Sequence, residues 1–137
     1  MHARELKIKV NYIIRLQRGE DVIEAVTRFC DEHDICSGSC YGIGACDEAE
    51  LGSYSVATKE YTKKQFSGEH EITSLTGIIS DTKIHVHANI SDENFNAHGG
   101  HVNSMRISAT CEIYLIAGKE PISRKPDNET GLELLDI

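Results

Sequence analysis

No stretch of this chain approaches the ~20 apolar residues that a membrane-spanning helix needs. The opening MHARELKIKV is charged where a secretory signal would carry an apolar core, so a cytoplasmic setting is expected, with no membrane partner. The five cysteines, Cys30, Cys36, Cys40, Cys46 and Cys111, are odd in number and include no CxxC pair. No disulfide framework is indicated, and buried free thiols are expected. Basic residues are also in deficit, 14 against 22 acidic ones, for a formal charge of −8. Non-specific DNA affinity comes mainly from Lys and Arg neutralising phosphates. There is no basic tail, helix-turn-helix signature or arginine-rich arm to supply it. The modest run KEYTKK at residues 59–64 reads as the solvated face of a strand. With no internal repeats or low-complexity linkers, residues 1–137 are expected to form one domain.

What the chain does have is histidine, and it is concentrated. Four of its seven histidines fall in residues 85–101, HVHANISDENFNAHGGH. The alternation from Ile84 to Ile90 puts Ile84, Val86, Ala88 and Ile90 on one face of a strand, and His85, His87 and Asn89 on the other. Two imidazoles on one face have Cα atoms roughly 6–7 Å apart, close enough to share one ion through M–N bonds of about 2.0–2.1 Å. After a polar loop, Gly99-Gly100 leads into His101. Glycine permits turns and close approaches closed to other residues, so the pair suits a turn returning a third imidazole to the first two. His85, His87 and His101 are the candidate metal ligands, with zinc the leading ion. The spacing leaves His98 open as a fourth ligand or a bystander. Four protein ligands would make a structural site, and three plus water a chemical one.

The remaining elements follow from periodicity. Leu6, Ile8 and Val10 suggest a leader strand, and residues 12–16 a first core strand stopped at Gly19. Asp21 and Glu24 resemble a capping box, starting a helix whose apolar stripe is Val22, Ala25, Val26, Phe29 and Cys30. It fades near residues 32–34. A second strand is expected at residues 35–39, and the Gly42-x-Gly44 that follows reads as a tight turn or bulge. Residues 49–55 and 60–66 read as a hairpin, and residues 71–80 as a further strand. Residues 102–116 read as a long strand with Ile107, Ala109, Cys111 and Ile113 on one face and Glu112 on the other. Glu112 and Glu71 are the candidate acceptors for a ligand imidazole's N–H, or catalytic acid/base groups. Arg106 is a candidate anchor for a substrate carboxylate. The tail, with both prolines, is expected to dock through Leu132, Leu134 and Leu135. Six or seven strands with one helix make an α+β domain with a largely antiparallel β-sheet.

The order of these motifs resembles the PPC domain family (plants and prokaryotes conserved). The likeness rests on YIIRLQRGEDVIEAV, GIGACDEAELGSY, EITSLTGIIS, HVHANISD, GGHV and ATCEIYLI, spanning about residues 12–116, while SRKPDNETGLELL in the C-terminal segment 117–137 is similar to the tail of stand-alone prokaryotic members. The resemblance implies a fold similar to acetolactate decarboxylase, a homotrimer, and a metal site, usually zinc, at His85, His87 and His101. It gives His98 no role. Plant members carry AT-hook DNA-binding motifs, and this chain has no R-G-R-P core of such a hook. Two functions of different kind are therefore expected to compete. One is a metal-stabilised trimeric module in a DNA-binding or regulatory assembly. The other is a zinc-dependent lyase or decarboxylase acting on a small oxo- or hydroxy-acid.

Overall fold

The computed structural model describes residues 1–81 and 83–137. Strand β1 (Ile8–Gln17) alternates half-buried or buried Val10, Tyr12, Ile14 and Leu16 with exposed Asn11, Ile13 and Arg15. The expected leader and first core strand are thus one element, paired antiparallel with β5 from Ile8 onward through an irregularity before Val10. Gly19 turns the chain at φ 89°, and helix α1 (Val22–Glu32) follows.

Asp21 caps that helix. Its Oδ1 accepts from the N–H groups of Ile23 and Glu24 at 2.8 and 3.1 Å, satisfying donors that the first turn leaves free. The second oxygen accepts from Met105 N at 2.7 Å, so the cap also ties the helix to β5. The stripe expected from the sequence is the buried one: Val22, Ala25, Val26 and Cys30 face the core, and Phe29 packs edge-on against Tyr12 with ring centroids 5.0 Å apart.

Four more strands make the sheet: β2 (Ser37–Ser55), β3 (Glu60–Ser80), β4 (Lys83–Ser91) and β5 (Ala97–Gly118). All pairings are antiparallel, in the order β1-β5-β2-β3-β4, and β4 also pairs with the start of β5. That last pairing closes β2, β3, β4 and β5 into a ring. The pieces expected as separate strands at residues 35–39 and 49–55 are one strand of 19 residues. It bends without breaking because the register slips between Gly42 and Gly44 and again between Cys46 and Glu48. The Gly42-x-Gly44 pattern is therefore a bulge, and a Cβ on Gly42 would lie 2.5 Å from the carbonyl oxygen of Glu112.

Inside the ring lie Ile72, Leu75, Val86, Ile90, Met105, Ile107, Ile113 and Leu115, all fully buried together with Val22 and Val26 of the helix. Each such side chain contributes about 1.5–3 kcal/mol by leaving water. Ala109 departs from expectation and is exposed. Between Gly44↔Cys111 and Cys46↔Ile107 two residues of β2 span four of β5, so the bulged stretch carries Ala109 out of the buried row. The tail forms a small hairpin, β6 (Arg124–Pro126) with β7 (Glu133–Leu135). Leu132 and Leu134 are about 40% exposed, so docking does not run through them as expected. Ile122 is buried instead, and Arg124 Nε donates to Ser80 Oγ at 2.8 Å.

Candidate metal centre

The register puts His87 of β4 opposite His101 of β5 and His85 opposite Ile78 of β3. His85 and His87 project to the outer side of the ring because Val86, Ala88 and Ile90 fill the inner side. The three rings converge: their centroids lie 5.1, 4.9 and 5.5 Å apart, and one ligand nitrogen from each falls within 4.8 Å of the others. Around a tetrahedral ion with M–N bonds of about 2.05 Å, neighbouring nitrogens sit roughly 3.3 Å apart. The Nε2 atoms of His85 and His87 already stand 3.2 Å apart, so the donor set fits such an ion with small ring rotations.

Gly99 and Gly100 act differently from expectation. They lie within β5 rather than in a turn, and the chain reverses earlier, where Asp92 Oδ1 accepts from the N–H groups of Asn94 and Asn96 at 2.9 Å. What the two glycines supply is closeness. A Cβ on Gly100 would lie 2.7 Å from the Gly52 carbonyl oxygen, and one on Gly99 would collide with Asn89 Oδ1. Bare backbone there lets β5 lie tightly between β2 and β4, which sets His101 beside His87.

Desolvation prepares two of the rings for ligation. Loss of water around the His85 ring pushes its pKa down to about 4, with the neighbouring His101, Arg124 and His87 adding to the effect. Burial, then His87, likewise holds His101 below the ordinary histidine value. Both imidazoles are neutral at pH 7, the form that binds metal. Tyr61 flanks His101 edge-on at 6.2 Å and donates its hydroxyl hydrogen bond to Asn103 Oδ1 at 3.0 Å.

The other candidates are elsewhere. His98 pairs with Ile90, on the opposite side of β5 from His101, beside Phe66 and 3.5 Å from Asp92 Oδ2. It is not in the converging group. Glu71 and Glu112 line a shallow cleft of about 620 Å³ together with Ile43, Thr73 and Thr110, and neither bonds to an imidazole among the described residues. Arg106 is held by Asp47 and Glu48 at 2.8 and 3.1 Å, away from the triad. The arginine that comes within one ladder step of His85 is Arg124, whose Nε donates to Ser80 Oγ. No local pattern marks it, because it lies 39 positions beyond His85 in a tail without periodicity.

A closed antiparallel ring with one helix and three convergent imidazoles on its outer side defines a small α+β domain with a candidate metal centre. The chain belongs to the Plants and Prokaryotes Conserved (PCC) domain family, whose model matches residues 3–118. That match begins earlier than the motifs alone suggest and takes in all of β1. Among solved structures, a plant- and prokaryote-conserved protein from Pyrococcus horikoshii is 27% identical with a TM-score of 0.92, covering 100% of this chain and 98% of that one. A metal-containing protein from Archaeoglobus fulgidus is 31% identical, TM-score 0.90, with 98% of each chain covered. A protein from Bacteroides thetaiotaomicron described as a candidate DNA-binding protein is 33% identical, TM-score 0.88, covering 95% and 94%. The fold is also that of acetolactate decarboxylase from Bacillus subtilis, at 13% identity and a TM-score of 0.50. In sequence, 90% of the chain is 30% identical to the bifunctional protein GlmU of a Synechococcus strain, of which it spans only 20%.

Proposed function

We propose that the chain is a zinc-binding domain that works as a homotrimer, with one ion per chain held by His85, His87 and His101. The observation that carries this reading is the convergence of three ligand nitrogens within 4.8 Å on an exposed strand face. The metal-containing relative from Archaeoglobus fulgidus supports it. Three protein ligands would leave a held ion open to a further ligand, as in sites that do chemistry or bind a ligand oxygen. When bound, zinc supplies Lewis acidity to an oxygen placed there. The chain's own part is to hold His85 and His101 neutral and the three rings convergent. His101 is further braced by Tyr61.

Support for self-association comes from the same outer side. Ile13, Tyr41 and Ile43 are 76%, 54% and 59% exposed, and Tyr41 stacks on Tyr114 at 5.4 Å. An apolar patch of this kind on a small domain marks a contact surface, and another copy of the chain is the occupant proposed. Tyr41 pairs with Thr76, which pairs with His87, so a neighbour seated there comes close to the ion. The test is metal analysis with light scattering on untagged protein. One zinc per chain in a particle of three chains is expected; a monomer without stoichiometric metal would sink the proposal.

Two roles then compete for that trimer. A regulatory or DNA-binding assembly is favoured by the Bacteroides relative and opposed by the charge of −8. Lyase-type chemistry on a small oxo- or hydroxy-acid is favoured by the open coordination position. We place the second ahead, because three imidazoles suit an ion that takes an oxygen ligand, while the net charge of −8 disfavours phosphate binding. Fluorescence anisotropy with duplex DNA at low salt should stay flat.

A further inference from the structure

A cation that no sequence motif marks stands one ladder step from His85. Along β3, Thr76, Ile78 and Ser80 are two apart and so share a side, and they pair with His87, His85 and Lys83 of β4. Ser80 Oγ accepts a hydrogen bond from Arg124 Nε at 2.8 Å. The guanidinium therefore lies one step along the ladder from His85, on the side that carries the triad. Two further bonds fix its place: Nη1 donates to the Glu133 carbonyl oxygen at 2.9 Å, and the Arg124 backbone N–H donates to Asp81 Oδ2 at 3.2 Å.

What the guanidinium lacks is a carboxylate. Among the described residues, six side-chain ion pairs form and Arg124 is in none of them. Arg106, by contrast, is paired with both Asp47 and Glu48. Nη2 of Arg124 donates to nothing among those residues. Lys83, opposite Ser80, adds a second positive charge at this end. A guanidinium fork matches a carboxylate with two parallel N–H donors. Positive charges set beside a cation site repel the ion unless an anion joins them.

We propose that Arg124 and the ion held by His85, His87 and His101 together form a site for a small carboxylic acid carrying a second oxygen beside its carboxylate, a 2-oxo or 2-hydroxy acid. The carboxylate meets the unengaged Nη2 donors of Arg124 and the adjacent oxygen meets the ion. This rests on the zinc proposal and its small-acid reading, and adds the residue that selects the acid. It moves the anchoring role from Arg106 to Arg124.

The experiment separates the two. Zinc content is measured first on the wild type, Arg124→Gln, Arg124→Lys and, as a distant control, Arg106→Gln. Pyruvate, lactate and inorganic phosphate are then titrated calorimetrically into each zinc-loaded and zinc-free protein. All four proteins are expected to hold one zinc per chain. Pyruvate and lactate should bind the loaded wild type and Arg106→Gln, and not the zinc-free forms. In Arg124→Gln the affinity should fall at least about tenfold, the scale of one charge-assisted hydrogen bond, and Arg124→Lys should recover part of it. By linkage, pyruvate should tighten zinc binding in the wild type and not in Arg124→Gln. A wild type without zinc overturns the metal proposal and this one with it. Full zinc with no acid bound, or with equal binding in Arg124→Gln and Arg124→Lys, overturns this one alone. Phosphate binding more tightly than either acid in an Arg124-dependent way overturns the carboxylate assignment.

Discussion

The two faces of the ring carry two sets of potential metal ligands, and burial acts on them in opposite directions. Cys40, Cys46 and Cys111 are buried in the core, where loss of water pushes their thiols up to about 12, 11 and 11. The thiolate is the form that ligates and reacts, so these side chains are silenced and serve as small apolar groups. On the outer face the same loss of water pushes His85 down to about 4. There the neutral form is the ligand, so desolvation prepares it. The physical cause is one, disfavouring the charged state, and the outcome depends on which state binds metal. Among the described residues no cysteine joins a converging group of ligands, while three histidines do.

The largest expected effect breaks the outer set. His87→Ala and His101→Ala should each abolish stoichiometric zinc, because two imidazoles remain of three, while His98→Ala on the other side of β5 should keep it. At zinc a hundredfold above Kd, binding contributes about 2.7 kcal/mol to stability, so the first two variants should lose their zinc-dependent rise in Tm and the third should not. Metal analysis with thermal melts reads both. Full zinc in His101→Ala would mean that another residue completes the set.

Next in size is an attack on the inner set. Cys111→Ser puts a hydroxyl where the thiol is fully buried, and an unpartnered buried polar group costs about 1–3 kcal/mol. Zinc content should not change. Urea denaturation with metal analysis checks both halves, and zinc lost with Cys111 would erase the distinction between the faces. In the native protein, iodoacetamide at pH 8 should label half-buried Cys36 well ahead of the four buried thiols, as mass spectrometry would show. Asp21→Ala removes the cap and the Met105 tie at once and should cost about 1–2 kcal/mol, again without touching zinc.

The converging histidine trio was legible because a strand period of two and a Gly-Gly-His step are local patterns, and the helix was legible through its cap and stripe. What escaped the sequence is nonlocal. Nothing in the spacing shows that β4 pairs with both β3 and β5, and that closure is what brings His101 to His87. The long strands looked like separate pieces because bulges interrupt their alternation, and the same bulging misplaced Ala109. Glu71 and Glu112 were reasonable partners for an imidazole by residue type. Their register positions, opposite Ser91 and Ile43, carry them into a different cleft. Arg124 comes within one ladder step of His85 only because the tail folds back over Ser80.

The smallest effect sharpens the comparison at both ends of the pH scale in metal-free protein. Between about pH 4 and the ordinary histidine value of 6.5, the unfolded chain holds a proton at residue 85 that the folded chain does not. Stability therefore rises with pH across that window and is lost as pH falls through it. The thiols give the mirror image. Cys40 is held up to about 12 against an ordinary 9.0, so above pH 9 the unfolded chain binds fewer protons than the folded one, and stability declines as pH rises. Urea midpoints from pH 4 to pH 10 should trace a plateau with a falling limb at each end. His85→Gln should make the acid limb shallower without changing the alkaline one, and Cys40→Ala the reverse, with His101 and the other buried thiols keeping part of each. An acid limb unchanged in His85→Gln would show that a different group, and not the crowded imidazole, takes up the proton on unfolding.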